Sequence, residues 1–197
     1  MTNLVDRPNS PRGQRRREGL IEAGLALLIE GGWPAVTTRA VAARSGANVG
    51  LIHYHFGGLS ALHLEIARRA GDTVMMPVLE ALLAAPDAGS ALDAMRRVVP
   101  RVTGDEKVLR LAVELMAGAM REPELGDALR VGLREARVQI ADWLGALNPQ
   151  WTAERRTGVA TLVAALLDGM MLHHLLDAEL SLEPAVAALG ELIGASS

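Results

Sequence analysis

Histidines, serines, paired carboxylates and clustered arginines are the groups whose spacing could do chemistry here, and most combinations fail on geometry. His53 and His55 stand two apart, and on a helix such positions point in different directions, so they do not make a metal pair. His173 and His174 are neighbours rather than four apart and read as buried or interface histidines. Ser45 and Ser60 lack the strand-turn-helix setting of a nucleophile elbow. The pairs Gly31-Gly32 and Gly57-Gly58 are not followed by a phosphate-loop lysine. Asp105-Glu106 reads as a pair of helix-start charges. With no cysteine, thiolate metal sites, disulfides and cysteine nucleophiles are excluded. The expectation is a chain that is not an enzyme and carries no metal and no cofactor. What remains is a basic stretch: Arg12 at the end of the expected arm, then Arg15, Arg16 and Arg17, and for these three the readings are a solvated helix start or a contact with phosphate.

Charge is unevenly spread along the chain, which bears on both readings. Residues 1–70 carry nine Arg against five acidic groups, a net of +4, whereas residues 71–197 carry a net of −7. A basic front on an acidic body meets a polyanion with one end and avoids it with the other. No leader-like segment precedes the first helix, and no uncharged apolar run is long enough to span a bilayer, so a cytoplasmic protein with no membrane partner is expected. With 197 residues, half of them apolar, the chain can build a small reader joined to a larger body.

The elements that must position these groups are all helical. Residues 1–12, with Pro8 and Pro11 among polar neighbours, are expected to form a disordered arm. Ile21, Leu25 and Leu28 recur at helical spacing from Arg15 to Glu30, and Gly31-Gly32 ends that helix. Thr37 is placed to cap a short helix through Arg44, with Val41 and Ala42 inward. After the turn Ser45-Gly46-Ala47, Asn48 can cap a third helix from Val49 to about His55, whose first-turn amides can face a phosphate or base edge. Ser60 is then expected to cap a long helix that Pro77 kinks or ends. Further helices follow, punctuated at Pro86 to Ser90, Pro100 to Asp105, Glu122-Pro123, Asn148-Pro149 and Leu180 to Pro184. Three short helices with a Gly-containing turn between the second and third follow the helix-turn-helix plan, in which the third enters the major groove.

Residues Leu20 to Leu62 carry a more specific pattern: Gly32-Trp33, then Thr37-Thr38-Arg39-Ala40-Val41-Ala42, then Ser45-Gly46, then Ile52-His53-Tyr54-His55-Phe56. In this stretch the chain resembles the TetR family of regulators, with the spacing intact. The resemblance implies that Thr38 and Arg39 touch the DNA backbone or a base, and that Asn48, Val49, Gly50 and Leu51 form the exposed start of the recognition helix. It further implies that Tyr54 and His55 sit against phosphates and that Phe56 anchors the core. Two positions depart from the family: His53 stands where a second aromatic is frequent, and Leu59 where a lysine would hold phosphate. Backbone amides at Ser60 and Ala61 are one replacement for that lysine, and Arg15, Arg16 and Arg17 are another. Val49, Gly50 and Leu51 offer few hydrogen-bonding groups, which favours contact with thymine methyls and a share of shape readout.

The resemblance divides the chain into an arm (1–12), a three-helix helix-turn-helix domain (13–58) and a larger helical effector-binding and dimerisation domain (59–197), an all-α fold. It implies a homodimer on double-stranded DNA, a repressor released from a palindromic operator by a small apolar or amphipathic effector. Leu162, Leu166, Gly169 and Met170 mark the expected dimer face of one helix, and Leu182, Val186, Leu189 and Ile193 that of the last. Because the only Tyr and Phe lie in the reader, an effector cavity is expected to be walled by aliphatic side chains. Its candidate contacts are Met75, Met116, Met120 and Met170, with Trp143 or Trp151 as an aromatic surface and Arg134, Arg137 or His173 as polar groups. For the methionines, simple core filling is the competing reading. The competing function is a helical adaptor with a degenerate reader, separable by the salt dependence of DNA binding.

Overall fold

Ser10-Pro11 opens the first helix: the Ser10 hydroxyl accepts the Gly13 amide at 3.0 Å, and proline fits the first helical position because its missing N–H would be unpaired there anyway. The computed structural model describes residues 10–177, 179–181 and 183–192, and among these every regular element is a helix. In chain order they are α1 (Pro11–Gly31), α2 (Thr38–Arg44), α3 (Gly50–Phe56), α4 (Leu59–Leu83), α5 (Ala88–Thr103), α6 (Glu106–Arg121), α7 (Pro123–Leu147), α8 (Ala153–Leu176) and α9 (Glu183–Leu192). A single 3-10 turn, Trp33–Ala35, joins α1 to α2.

The expected boundaries shift in three places. Helix α1 starts at Pro11 rather than Arg15, so the last two residues of the expected arm are helical, while residues 1–9 lie outside those described. Ser60 lies inside the first turn of α4 instead of capping it; the Gly58 carbonyl accepts the Leu62 amide at 3.3 Å. Pro77 and Pro100, read as breaks, sit inside α4 and α5. A proline there removes one backbone bond, and the helices continue because Leu79, Leu82 and Val102 beyond them are buried.

Contacts gather the chain into two units. The first runs to Asp72 and includes Arg110–Leu129 of α6 and α7. Its interior is built from Leu20, Ile21 and Leu28 of α1, Val41, Ile52, Leu62 and Ile66, with Leu111 of α6. Gly24 lies against Ile66, where a methyl group would overlap the isoleucine side chain. Arg69 of α4 reaches Glu18 at 2.6 Å and Glu22 at 2.8 Å on α1. Exposed ion pairs of this kind are worth about 0–1 kcal/mol each, so apolar burial carries most of the fold.

Trp33 is the densest junction of this unit. Its backbone N–H donates to the Glu114 carboxylate at 3.1 Å, and its indole Nε1–H donates to the Glu114 carbonyl at 2.7 Å. His63 lies 5.1 Å from the indole and donates from Nε2 to the Val36 carbonyl at 2.9 Å. Gly118 makes room on α6: a Cβ there would stand 2.5 Å from the indole nitrogen. At Gly32, in the left-handed region at φ 68°, a Cβ would stand 2.8 Å from the Glu114 carboxylate oxygens.

The second unit holds Thr73–Leu109 and the chain from Arg130 onward. Leu79, Leu82, Met95, Val99, Ile140, Leu144 and Ala160 form its core, and Trp143 donates its indole N–H to the Ala85 carbonyl at 2.9 Å.

Gly118→Ala should therefore destabilise by about 1–3 kcal/mol through overpacking, whereas Gly158→Ala, whose added methyl meets nothing within 4 Å, should stabilise; urea midpoints compare the two. His55 gives a second expectation. Its Nδ1 is buried without a hydrogen bond, and withdrawal from water, reinforced by Arg17 and Arg16, holds the imidazole pKa below the ordinary histidine value. The unfolded chain takes up this proton first, so the contribution is present above about pH 6.5 and is lost as pH falls below it. The urea midpoint of the wild type should drop more between pH 7 and pH 5 than that of His55→Phe; equal drops would remove His55 as a cause.

Candidate nucleic-acid interface and ligand cavity

Two short helices present the reader. The Thr37 hydroxyl accepts the Ala40 amide at 3.2 Å and so caps α2. Asn48 Oδ1 accepts the Leu51 amide at 3.1 Å, and Val49 already has helical dihedrals, φ −58° and ψ −31°, so Asn48 caps α3 as its sequence implied. Both caps use an acceptor and leave the Thr37 O–H and the Asn48 side-chain N–H groups as donors. Gly46 at φ 62° makes the turn between the helices, and Gly57 at φ 80° stops α3.

Within α3, burial is one-sided. Ile52 is fully buried, Phe56 and His55 are half-buried, and Asn48, Val49, Gly50, His53 and Tyr54 are exposed, with Leu51 half-buried beside them. Thr37 and Arg39 are exposed and Thr38 is half-buried, so the polar start of α2 stands open as well. Tyr54 packs edge-on against the His55 ring at 5.1 Å. A rod held by one apolar edge and bare on the other has the form a major groove admits.

The arginine run divides. Arg17 turns inward: its guanidinium lies 5.0 Å from the Phe56 ring and pairs with Glu65 at 2.7 Å. It shares the stripe of Gly13, Leu20, Gly24 and Leu28, the buried face of α1. Arg15 and Arg16 instead join Arg12, Gly19 and Ser45 around a shallow basin of about 250 Å³. Residues 12, 15, 16 and 19 recur at helical spacing, so starting α1 at Pro11 puts them on one face. Arg12 and Ser45 were missed as members of this surface; the Ser-Pro pair at residues 10 and 11 was the signal. Ser60 is exposed in the first turn of α4, where unpaired amides favour an anion.

In the second unit an apolar cavity of about 90 Å³ lies among Met75, Leu79, Thr103, Ile140, Asp168 and Met171. Of the expected effector contacts, only Met75 lines it. Met116 and Met120 are exposed and belong to the first unit, Arg134 and His173 are exposed, and Trp143, Arg137 and Met170 are half-buried without lining the cavity. Asp168 was not anticipated, although a lone carboxylate in an otherwise apolar stretch of α8 marks it. The residue is exposed, yet the apolar groups around its carboxyl partly withdraw it from water and push the pKa above the ordinary aspartate value, with Arg137 pulling the other way. Among the described residues no three His, Asp or Glu converge as a metal set.

The dimer candidates separate too. Leu162 and Leu166 are exposed on α8, with Gly169 and Met170 half-buried. Val186 is buried within its own chain, where α9 packs on α5. Leu182 and Ile193 lie outside the described residues, as does the side chain of Leu189. By length and composition α8 is apolar enough to cross a membrane, although it carries Asp168; the sequence reading asked for an uncharged run and passed it over.

Comparison with known proteins follows the same division. Residues 20–66 match the family of bacterial regulatory proteins, tetR family, and residues 88–196 match the C-terminal part of BetI-type transcriptional repressors. The HTH-type transcriptional regulator BetI of Rhizobium meliloti (strain 1021) is 27% identical over 182 residues, 91% of this chain and 88% of that protein. The transcriptional regulator SCO7518 from Streptomyces coelicolor A3(2) superposes with a TM-score of 0.76 at 28% identity, covering 90% of this chain and 97% of that one. The multidrug binding protein EbrR, complexed with imidazole, has a TM-score of 0.68 at 26% identity, covering 90% of this chain and 94% of that one. With the BetI-type match spanning more than half of its length, the chain belongs to the tetR family of bacterial regulatory proteins and is a helix-turn-helix, DNA-binding transcription regulator.

Proposed function

We propose that this regulator binds a palindromic operator as a homodimer in the cytoplasm, represses there, has no catalytic activity, and is released when a small molecule fills the cavity of its second unit. The exposed face of α3, fixed by Asn48 at its start and Ile52 beneath, carries the reading. Arg12, Arg15 and Arg16 supply phosphate contacts beside it, which set register while a few side chains read bases. Thr38, Arg39 and Tyr54 remain part of the proposed surface, and Arg17 supports it from beneath through Phe56. One seven-residue helix makes too few contacts for specificity, and two related by a twofold axis read half-sites about ten base pairs apart.

Repression is supported by the BetI-type repressor match, and ligand control by EbrR, whose structures hold imidazole and proflavin. At about 90 Å³ the cavity is below the ~300–1,000 Å³ of typical ligand pockets. An effector must therefore enlarge it, which is a way to favour one conformation over another. Helix α4 supplies Leu62 and Ile66 to the reader's interior and Met75 and Leu79 to the cavity, so it is the proposed carrier of that change. The exposed leucines of α8 fit the face of a second copy better than a lipid environment, given Asp168 in the same helix.

Selection from random duplexes should recover a palindrome, with log K falling steeply against log salt. Arg16→Ala should lower affinity for all duplexes alike and reduce that slope by about 0.9 per site. Arg17→Ala should act mainly on the urea midpoint. No symmetric motif, or binding indifferent to salt, would sink the reading. Gly169→Leu adds a side chain to a position with nothing within 4 Å in its own chain. It should leave the helical content intact, convert dimer to monomer in sedimentation and abolish operator binding.

A further inference from the structure

The cavity of the second unit has a one-sided hydrogen-bonding chemistry. Its lining contains aliphatic side chains and methionines, no aromatic ring, no basic group, and two polar residues, Thr103 and Asp168. Thr103 is buried, and its hydroxyl proton is committed to the Val99 carbonyl at 3.0 Å, which leaves its lone pairs as acceptors. Asp168 lines the cavity at an edge that solvent also reaches, with the charge of Arg137 near enough to act on it; as an ionised carboxylate it only accepts. A ligand here meets acceptors and no donors in the lining, together with one negative charge at the cavity's solvent-reached edge.

Resting on the reading of this cavity as the effector site, we infer that it selects a protonated amine bearing N–H groups on a short aliphatic chain, held through Asp168 and Thr103. The ammonium donates to both oxygen-bearing groups, and the chain lies along Met75, Leu79 and Ile140. Carboxylates and phosphates are rejected because they would bring a second negative charge to Asp168 with no donor to receive them. Permanently quaternary ammonium groups have no N–H to give, and the lining holds no aromatic face to attract them instead. The size agrees: about 90 Å³ is less than the ~150 Å³ apolar cavity that takes benzene, so a linear chain enters more readily than a ring. Met75 and Met171, unbranched and polarizable, can rearrange to lengthen the slot.

Asp168 also separates the two faces of α8. It shares a stripe with Ala164, Leu167 and Met171, all lining the cavity, whereas Leu162 and Leu166 stand on another stripe that does not line it. A substitution at Asp168 is thereby separable from one at the proposed dimer face.

Calorimetric titration of the full-length protein with hexylamine, hexanol, hexanoate and hexyltrimethylammonium tests the assignment, in the wild type and in Asp168→Asn. Hexylamine should bind the wild type about tenfold or more tightly than the other three. In Asp168→Asn that preference should vanish, while hexanol binding persists and shows the cavity to be intact. Equal affinity of hexylamine for the two proteins, a wild type that binds hexyltrimethylammonium as well as hexylamine, or no hexylamine binding at all would overturn the proposal. Hexylamine binding that needs Asp168 yet leaves affinity for the selected operator unchanged would uphold the amine site and overturn the effector reading alone.

Discussion

Two hydrogen bonds from Trp33 to Glu114, residues 81 positions apart, tie the front of the chain to α6. The reader needs such an anchor. Helices α2 and α3 have seven residues each, well short of the ~12–15 at which isolated helices become even marginal in water. Their form is imposed by what they pack on: Val41 and Ile52 beneath, Trp33 and Val36 at the connection, and α1, α4 and α6 around them. The indole works at both ends, burying its rings beside His63 while its N–H finds a partner in the Glu114 carbonyl. Two glycines, one on each side, make this approach close enough.

Charge on the first unit is sorted by the helical face on which it falls. Arg17 and Arg69 face α4 and α1 and find Glu65, Glu18 and Glu22; Arg44 forks onto Glu30. Arg12, Arg15 and Arg16 fall on the opposite stripe beside Ser45. A run of like charges is thus divided by helix geometry into a structural member and a surface patch. The helix-turn-helix was legible because local chemistry writes it: Thr37 and Asn48 as caps, Gly46 and Gly57 where φ must be positive, and apolar residues at helical spacing. These features act over three or four residues and survive any tertiary context.

What the sequence concealed acts over long distances. Nothing local announces that Glu114 meets Trp33, or that Gly118 is small to admit an indole. Pro77 and Pro100 look like breaks locally, and burial on their far sides overrides that signal. In the second unit the cavity is an outcome of how α4, α5, α7 and α8 each bring several residues to one place, so periodicity identified α8 as apolar without telling which stripe faces inward. Methionines at 116 and 120 matched the composition of a pocket wall and lie on the surface.

The two stripes of α8 set a relation between chemistry and assembly. A rotation or slide of this helix that widens the space at Ala164, Leu167 and Asp168 necessarily displaces Leu162 and Leu166 as well, because one rigid backbone carries both. On the proposed reading, ligand occupancy and subunit association share a common mechanical coordinate. Reciprocity of linked equilibria then makes apparent ligand affinity vary with protein dilution, and the tendency to pair vary with ligand. Such a regulator would register its own abundance along with that of its effector.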